Sequence, residues 1–444
     1  MTKITFYKGL NVIGGTFIKV ETEKAVMMFD FGFTVMRDID SNVRLREGHI
    51  PEDYVRIGRL PAADGIYEEV VAGKIGCIPF GRTEKPHFFI ISHMHIDHMG
   101  GLDMLDPDAP VYMSEDSLRL YRRLCRQGEF TYRAHENCIG IPYGDNFTVG
   151  DIKVNVLPID HDCTGATGFI IETPDGKIAY TGDYRFHGLN PEYTEGFGKS
   201  CHEAGIDIMI TEGTNASWEE FDMLTLEKPS EEPMTEYTLI SEIDEILADS
   251  DGLILVNPYE RNVARVHNLY NLCVKHQRKL VLDNAQADYL GEFYSDDKLY
   301  VYAETVGNRP VPNGAELVSR DEILADPKGY MLQLPYRNSY ELLDIGDKAD
   351  VYLHLDGYPL GDYDPSYPKM QSLIEKAGIR YEKLSLGGHA SPYCLRHMID
   401  TVSPKVLIPI HSQRPENVNA ENIGFRILPT EGQTIFLDKK EIHT

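Results

Sequence analysis

The tightest constraint on this chain lies in six residues, His93-Met94-His95-Ile96-Asp97-His98, set directly after the apolar run His87-Phe88-Phe89-Ile90-Ile91-Ser92. Such a run reads as a buried strand, and the small Met99-Gly100-Gly101 turn with a short helix after it completes a βα unit. A loop leaving a strand end aims several side chains at one point. Three imidazoles and a carboxylate there suit zinc or a similar borderline cation. A solvent-exposed histidine tract would lack the flanking strand.

Two coordination spheres need more donors than this loop holds, so further ligands are expected at other strand ends. His161 in Pro158-Ile159-Asp160-His161, Asp183 in Tyr180-Thr181-Gly182-Asp183 and His411 in Leu407-Ile408-Pro409-Ile410-His411 each terminate an apolar run, as the first cluster does. Alone, such a histidine or aspartate is more commonly a core or capping residue. The repetition of the pattern beside the first cluster reverses that preference. Asp162, Cys163 and His187 lie next to these positions and are expected to support them rather than to bind metal.

At 444 residues the chain suits two domains of roughly 150 to 250 residues. No apolar run approaches the ~18 residues that span a bilayer, and the N-terminus lacks an apolar leader, so a cytoplasmic protein without a membrane partner is expected. Seven scattered cysteines without a Cys-x-x-Cys pair read as reduced thiols. A formal charge of −27 argues against a broad electropositive surface, while leaving room for a local basic cleft.

Along the chain, Ile4 to Phe33 reads as β meander interrupted by Gly14-Gly15. Residues 37–85 carry scattered Gly and Pro with helical character only around Ile66 to Val71, and are expected to lie over the surface at the rim of the site. Phe147 to Ile159 is β-rich, and Gly168 to Thr173 with Lys177 to Thr181 forms a hairpin through Pro174-Asp175-Gly176. A strand from Ile206 ends at Glu212. After Asn215 an acidic helical stretch from Ser230 to Leu247 leads into Leu253 to Val256 and Lys279 to Leu282, buried-strand runs separated by an amphipathic helix from Val263 to Lys275, a parallel βαβ pattern. Gly329 to Leu334 and Asp350 to Leu355 read as further strands, and Val406 to Leu437 is β-rich again.

As a set, these residues resemble the metallo-β-lactamase superfamily, with His93, His95, Asp97 and His98 as its second motif, His161 as its third and Asp183 as its fourth. Thr211-Glu212-Gly213-Thr214-Asn215, Leu386-Gly387-Gly388-His389-Ala390-Ser391-Pro392 and His411 resemble motifs A, B and C of the β-CASP subgroup, at Glu212, His389 and His411. The stretch Leu253 to Leu282 resembles that subgroup's insert as found in the ribonuclease J family, and the likeness covers nearly the whole chain. It implies an α/β protein, an αββα metallo-β-lactamase sandwich at 1–215 plus 385–444 with an inserted parallel α/β β-CASP domain at 216–384. It implies two divalent metal ions, zinc ahead of manganese. His93, His95 and His161 would hold one, Asp97, His98 and His411 the other, and Asp183 would bridge them. The catalytic set would be Asp97, Asp183, His389 and Glu212, with a metal-bridging hydroxide as nucleophile. His389 would donate a proton to the leaving oxygen or hold a phosphate oxygen, and Glu212 would orient its ring.

The segment Ser385-Leu386-Gly387-Gly388-His389-Ala390-Ser391 keeps only the later residues of the family's phosphate-reading His-x-Ser-Gly-His-Ala-Ser. Leu332 to Ser339 stands where a second family loop is expected, and the sequence is expected to lack the family's C-terminal assembly domain. Ser391, Arg185 and Arg414 are the expected substrate phosphate contacts, with Arg261, Arg265, Arg337 and Arg396 as further cations. The resemblance thus implies a phosphodiesterase acting on RNA or single-stranded DNA, with homodimerisation open. A hydrolase of a small phosphoester, thioester or other ester is the alternative, because fold does not fix substrate. A binding protein that inherited the fold conflicts with the complete ligand set, and a redox di-iron role with His95, where that pattern has Glu.

Overall fold

The computed structural model describes residues 1–34, 43–130, 132–230, 234–439 and 441–443. Twenty-two strands form three sheets among these residues. The first runs Glu441–His443, Thr434–Asp438, Thr2–Lys8, Phe17–Glu21, Val26–Phe29, His87–Ile90, Val111–Ser114, Cys138–Ile141. The second runs Phe425–Arg426, Val406–Ile410, Ile208–Glu212, Gly176–Tyr180, Thr167–Thr173, Ile152–Pro158, Asn146–Val149. Successive side chains of a strand point to opposite faces, and the core follows this rule. Met27 and Phe29 enter the layer between the two sheets with Ile171, Ile178 and Ile210, whereas Val26 and Met28 face outward onto helices. Phe29 stacks on Tyr180 across the layer at 4.5 Å. Outside the first sheet lies the helix Glu115–Arg126, and outside the second the helices Pro191–Ala204 and Pro392–Val402 bury Phe197, Leu395 and Ile399. The result is the expected four-layer αββα sandwich.

The third sheet is parallel throughout, in the order Glu316–Val318, Tyr300–Tyr302, Lys279–Leu282, Tyr330–Gln333, Leu253–Pro258, Ala349–Leu355, Arg380–Lys383. Both of its faces are covered, which is why Leu253–Pro258 is buried at every position and opens with the apolar run Leu253 to Val256. The helix Val263–Lys275 forms where expected: Asn262 caps it by accepting from the Arg265 amide, and Val263, Val266, Leu269 and Cys273 make its buried stripe. The βαβ unit is present with one difference, since Tyr330–Gln333 inserts between its two strands.

Residues 37–42 of the segment expected to lie over the surface fall outside the described residues. From 43 onward the segment departs from expectation. It forms two helices, Ile50–Arg56 and Glu69–Ile75, and buries Ile50, Tyr54, Leu60, Ile66 and Tyr67 in one cluster with Phe31, Met99 and Leu102. Ile66 and Tyr67 precede the second helix rather than belonging to it, and the Tyr67 hydroxyl donates to the Pro61 carbonyl at 2.7 Å. This cluster also contains Ile243, Ile254 and Leu269, so apolar packing runs unbroken from the sandwich to the third sheet. All seven cysteines are free, and no helix among the described residues is long and apolar enough to cross a membrane.

Candidate metal centre

The ends of His87–Ile90, Ile152–Pro158, Gly176–Tyr180, Ile208–Glu212 and Val406–Ile410 converge at one edge of the sandwich, and the loops leaving them carry the site. The His93 to His98 loop is clamped by two neighbouring loops: the Gly15 amide donates to Asp97 O at 3.0 Å, Phe31 to His98 O at 2.7 Å and Phe33 to Ile96 O at 3.1 Å. The approach demands glycine. A Cβ on Gly32 would lie 1.7 Å from Asp97 O, and one on Gly14, at φ +85°, would lie 2.5 Å from Asp97 Oδ2.

All seven sequence-derived ligand candidates meet here. Donor atoms of His93, His95, His161 and Asp183 lie within 4.8 Å of one another, as do those of Asp97, His98 and His411, and those of Asp183, Glu212, His389 and His411. His98 Nε2 is 3.1 Å from both His411 Nε2 and Asp183 Oδ2, and His411 Nε2 is 3.0 Å from Asp97 Oδ2. His161 Nε2 is 3.3 Å from His95 Nδ1.

The outer nitrogens decide what the inner ones can do. His98 Nδ1 donates to Asp30 Oδ2 at 2.7 Å, and His161 Nδ1 donates to Gly388 O at 2.6 Å. His411 Nδ1 pairs with Thr214 Oγ1 at 2.8 Å and His93 Nδ1 with Ser92 Oγ at 3.0 Å. With its proton fixed on the outer nitrogen, a neutral imidazole points a lone pair inward, and facing lone pairs cannot bond to each other. The buried Nε2 atom of His93 has no hydrogen-bond partner, and His95 Nδ1 and His161 Nε2 face each other at 3.3 Å. Uncompensated buried donors of this kind are what a divalent cation satisfies, so the residues fit metal, and their outer hydrogen bonds are the ones that orient metal ligands.

Electrostatics divide the centre. Burial, then repulsion among His98, His95 and His161, hold the His93 imidazole well below its usual range, and burial brings His95 down to about 3. Burial would lower His98 too, yet Asp183, Asp97 and Asp30 raise it well above. Burial would raise Asp183, but the His411 and His98 rings hold its carboxyl well below the usual range. His389 resembles His98: burial opposes its charge, and Glu212, 2.9 Å from Nδ1, overrides that and pushes it up to about 10. Glu212 is itself fixed by the Tyr184 and Thr214 amides at 3.0 and 3.2 Å.

The residues beside the ligands hold the ligand loops. His187 Nε2 is 3.0 Å from Leu386 O, Asn215 Nδ2 donates to His389 O at 3.0 Å, and Asp162 Oδ1 lies 3.4 Å from His95 Nε2. Cys163 is buried, which pushes its thiol up to about 12. Sequence reasoning missed Asp30, Ser92 and Thr214. Asp30 carried a usable signal, since it ends the apolar strand Val26–Phe29 as the ligands end theirs.

Arg185 is a correction. It was expected to contact a substrate phosphate, but it is buried, with Nε on Asp160 at 3.0 Å, Nη2 on Glu236 at 2.9 Å and Nη1 on Gly387 O at 3.0 Å. A guanidinium with three fixed protein partners is structural. Arg265 is likewise buried between Glu236 and Asp356, Arg261 pairs with Glu129, Arg337 with Glu260 and Asp283, and Arg396 donates to carbonyls of Met223, Leu224 and Leu226. Ser391 caps the helix Pro392–Val402, and Arg414 is partly exposed, 4.0 Å from Glu416.

A family described as "Beta-lactamase superfamily domain" matches residues 78–234. Among curated proteins, ribonuclease J of Pyrococcus abyssi is 24% identical over 93% of this chain and 90% of its own length. Ribonuclease J of Mycoplasma genitalium is 21% identical over 100% of this chain and 74% of its own. A crystal structure of a protein of unknown function from Enterococcus faecalis V583 superposes with a TM-score of 0.81 at 29% identity, covering 98% of this chain and 99% of that one. The chain therefore carries a metallo-β-lactamase-fold domain, has ribonuclease J homologues across most of its length, and is a hydrolase.

Proposed function

We propose that this protein is a two-metal phosphodiesterase that cleaves RNA, with His93, His95 and His161 holding one divalent cation, Asp97, His98 and His411 the other, and Asp183 shared. The observation that carries this reading is the pair of inward-facing donor sets meeting at Asp183, each with its outer nitrogens already committed. Two bound cations, zinc or manganese, supply Lewis acidity and a water made acidic enough to be nucleophilic at neutral pH. The chain's own residues do the rest. Glu212 keeps His389 charged at neutral pH, so the ring can protonate the leaving oxygen or hold a phosphoryl oxygen. Ser391 and Arg414 are the remaining candidates to touch a substrate phosphate. The names of the relatives supply the substrate class, and residues 216–384 are taken as the β-CASP-like insert.

Purified protein with Zn²⁺ or Mn²⁺ is expected to shorten 5′-phosphorylated RNA, and Asp97→Ala combined with His98→Ala to abolish this without unfolding the chain. If no nucleic acid is cleaved under any metal, this reading is wrong. One observation favours a second one: with Arg185, Arg261, Arg265, Arg337 and Arg396 engaged by protein groups, few cations remain to grip a polyanion. Turnover of small phosphoesters, thioesters or other esters without nuclease activity would select it.

A further inference from the structure

Two large aromatic rings stand exposed where the sandwich meets the third-sheet region. Trp218, the single tryptophan of the chain, is 54% exposed, and Tyr363 is 64% exposed. They are far apart in the sequence, yet their rings lie 25° from parallel with centroids 6.5 Å apart. Exposed apolar rings held face to face mark a surface fit for a planar partner.

Their anchors place them at the lip of the metal centre. Trp218 follows Ser217, whose Oγ lies 3.0 Å from Ser412 Oγ and accepts from the Gln413 amide at 3.0 Å, on the two residues after His411. Tyr363 sits in the loop that leaves Ala349–Leu355 at Asp356. That carboxylate receives the Ser385 hydroxyl and, at 3.2 Å, the Leu386 amide, at the start of the loop carrying His389. Burial, then Asp364, Asp162, Asp356 and Asp97, push the Tyr363 phenol up to about 12, so the ring presents as a neutral phenol.

We propose that Trp218 and Tyr363 form a stacking platform for a nucleobase of single-stranded RNA, one end of a nucleotide whose phosphate lies at the metals. The proposal rests on the nuclease reading and names how that site takes its substrate. Charge sets the polarity: exposed Glu219 beside Trp218 repels phosphate, Asp362 beside Tyr363 is shared with Lys383 at 3.5 Å, and the two cations of the proposed centre would attract phosphate. A nucleotide therefore enters phosphate first and leaves its uncharged base at the rings. Stacking also supplies affinity that the paired arginines do not, since each stacked base contributes about 1–3 kcal/mol by alanine substitution.

Because Trp218 is the only tryptophan, intrinsic fluorescence of the intact metal-loaded protein reports on this position alone. Titration with a 5′-phosphorylated, phosphorothioate-linked single-stranded RNA is expected to quench it saturably, and an abasic ribose-phosphate oligomer of equal length to leave it unchanged. Trp218→Ala and Tyr363→Ala should each raise KM for RNA by about 10-fold, with a smaller effect on kcat and unaltered metal content, and Trp218→Phe should restore most of the loss. RNA cleavage without quenching, or with KM unchanged in both alanine variants, would overturn the platform and leave the nuclease standing. Absence of both cleavage and quenching would remove both.

Discussion

The two halves of the metal centre are built from the same residue types and solve burial differently. Around Asp97, His98 and His411, carboxylates lie 3.0 to 3.8 Å from the imidazoles, and Asp183, Asp97 and Asp30 raise His98 against the effect of burial. Around His93, His95 and His161 the rings face one another with centroids 4.5 to 4.7 Å apart, and burial with mutual repulsion keeps His93 and His95 neutral. The first arrangement is compensated by its own carboxylates, while the second sets rings against one another. A motif that looks symmetric in residue type is thus asymmetric in how its carboxylates are placed.

Asp183 belongs to both halves, and its removal should erase the contrast. Asp183→Ala is expected to lower hydrolysis by roughly 10³-fold, equivalent to several kcal/mol of charge stabilisation, and to leave fewer than two metals per chain by elemental analysis. Asp30→Ala tests the compensated half alone. It removes the acceptor of His98 Nδ1 and of the Tyr180 and Ser92 hydroxyls, and should weaken one metal site by about 100-fold while the other titrates normally in calorimetry. Equal weakening of both sites would show that the halves act as a unit. Asp162→Asn tests the imidazole half through His95, with about 10-fold weaker binding of the other metal and a changed Co²⁺ absorption spectrum.

The smallest effect comes from a histidine outside the ligand set that shares the predicament of the imidazole half. His354, in the third sheet between Tyr367 and Tyr381, has neither ring nitrogen bonded, and burial lowers it to about 4. Its folded pKa lies below the usual 6.5, so the unfolded chain takes up a proton first on acidification. The stability present above pH 6.5 is therefore lost as pH falls toward 4, by on the order of 3 kcal/mol. In metal-loaded protein His354→Phe should flatten this part of the melting temperature against pH. An unchanged profile would mean that other groups dominate acid lability.

Much of this was legible in residue order. His93, His95, Asp97, His98, His161, Asp183 and His411 each end an apolar run, and strand ends are where a layered fold collects side chains, so their meeting followed from pattern. The Gly14-Gly15 turn was visible too, though not its reason, the close approach to Asp97. Helices Ile50–Arg56 and Glu69–Ile75 were obscured because their apolar residues follow no period and owe their burial to partners such as Phe31 and Met99. The insertion of Tyr330–Gln333 between two earlier strands has no local signature, since strand order in a parallel sheet is set by distant packing. Arg185 misled because closeness to a ligand in sequence does not say which way a side chain turns past the strand end.

What Arg185 does instead has a consequence for inheritance. Asp160 and Arg185 come from the sandwich, Glu236, Arg265 and Asp356 from the stretch that builds the third sheet, and all five are buried in one chain of ion pairs. Removing one member of such a chain strands a charge, at a cost of about 3–5 kcal/mol. A graft that imported the third-sheet region from a relative would have to bring matching charges for Arg185 as well, so these two parts of the chain are expected to pass between lineages together.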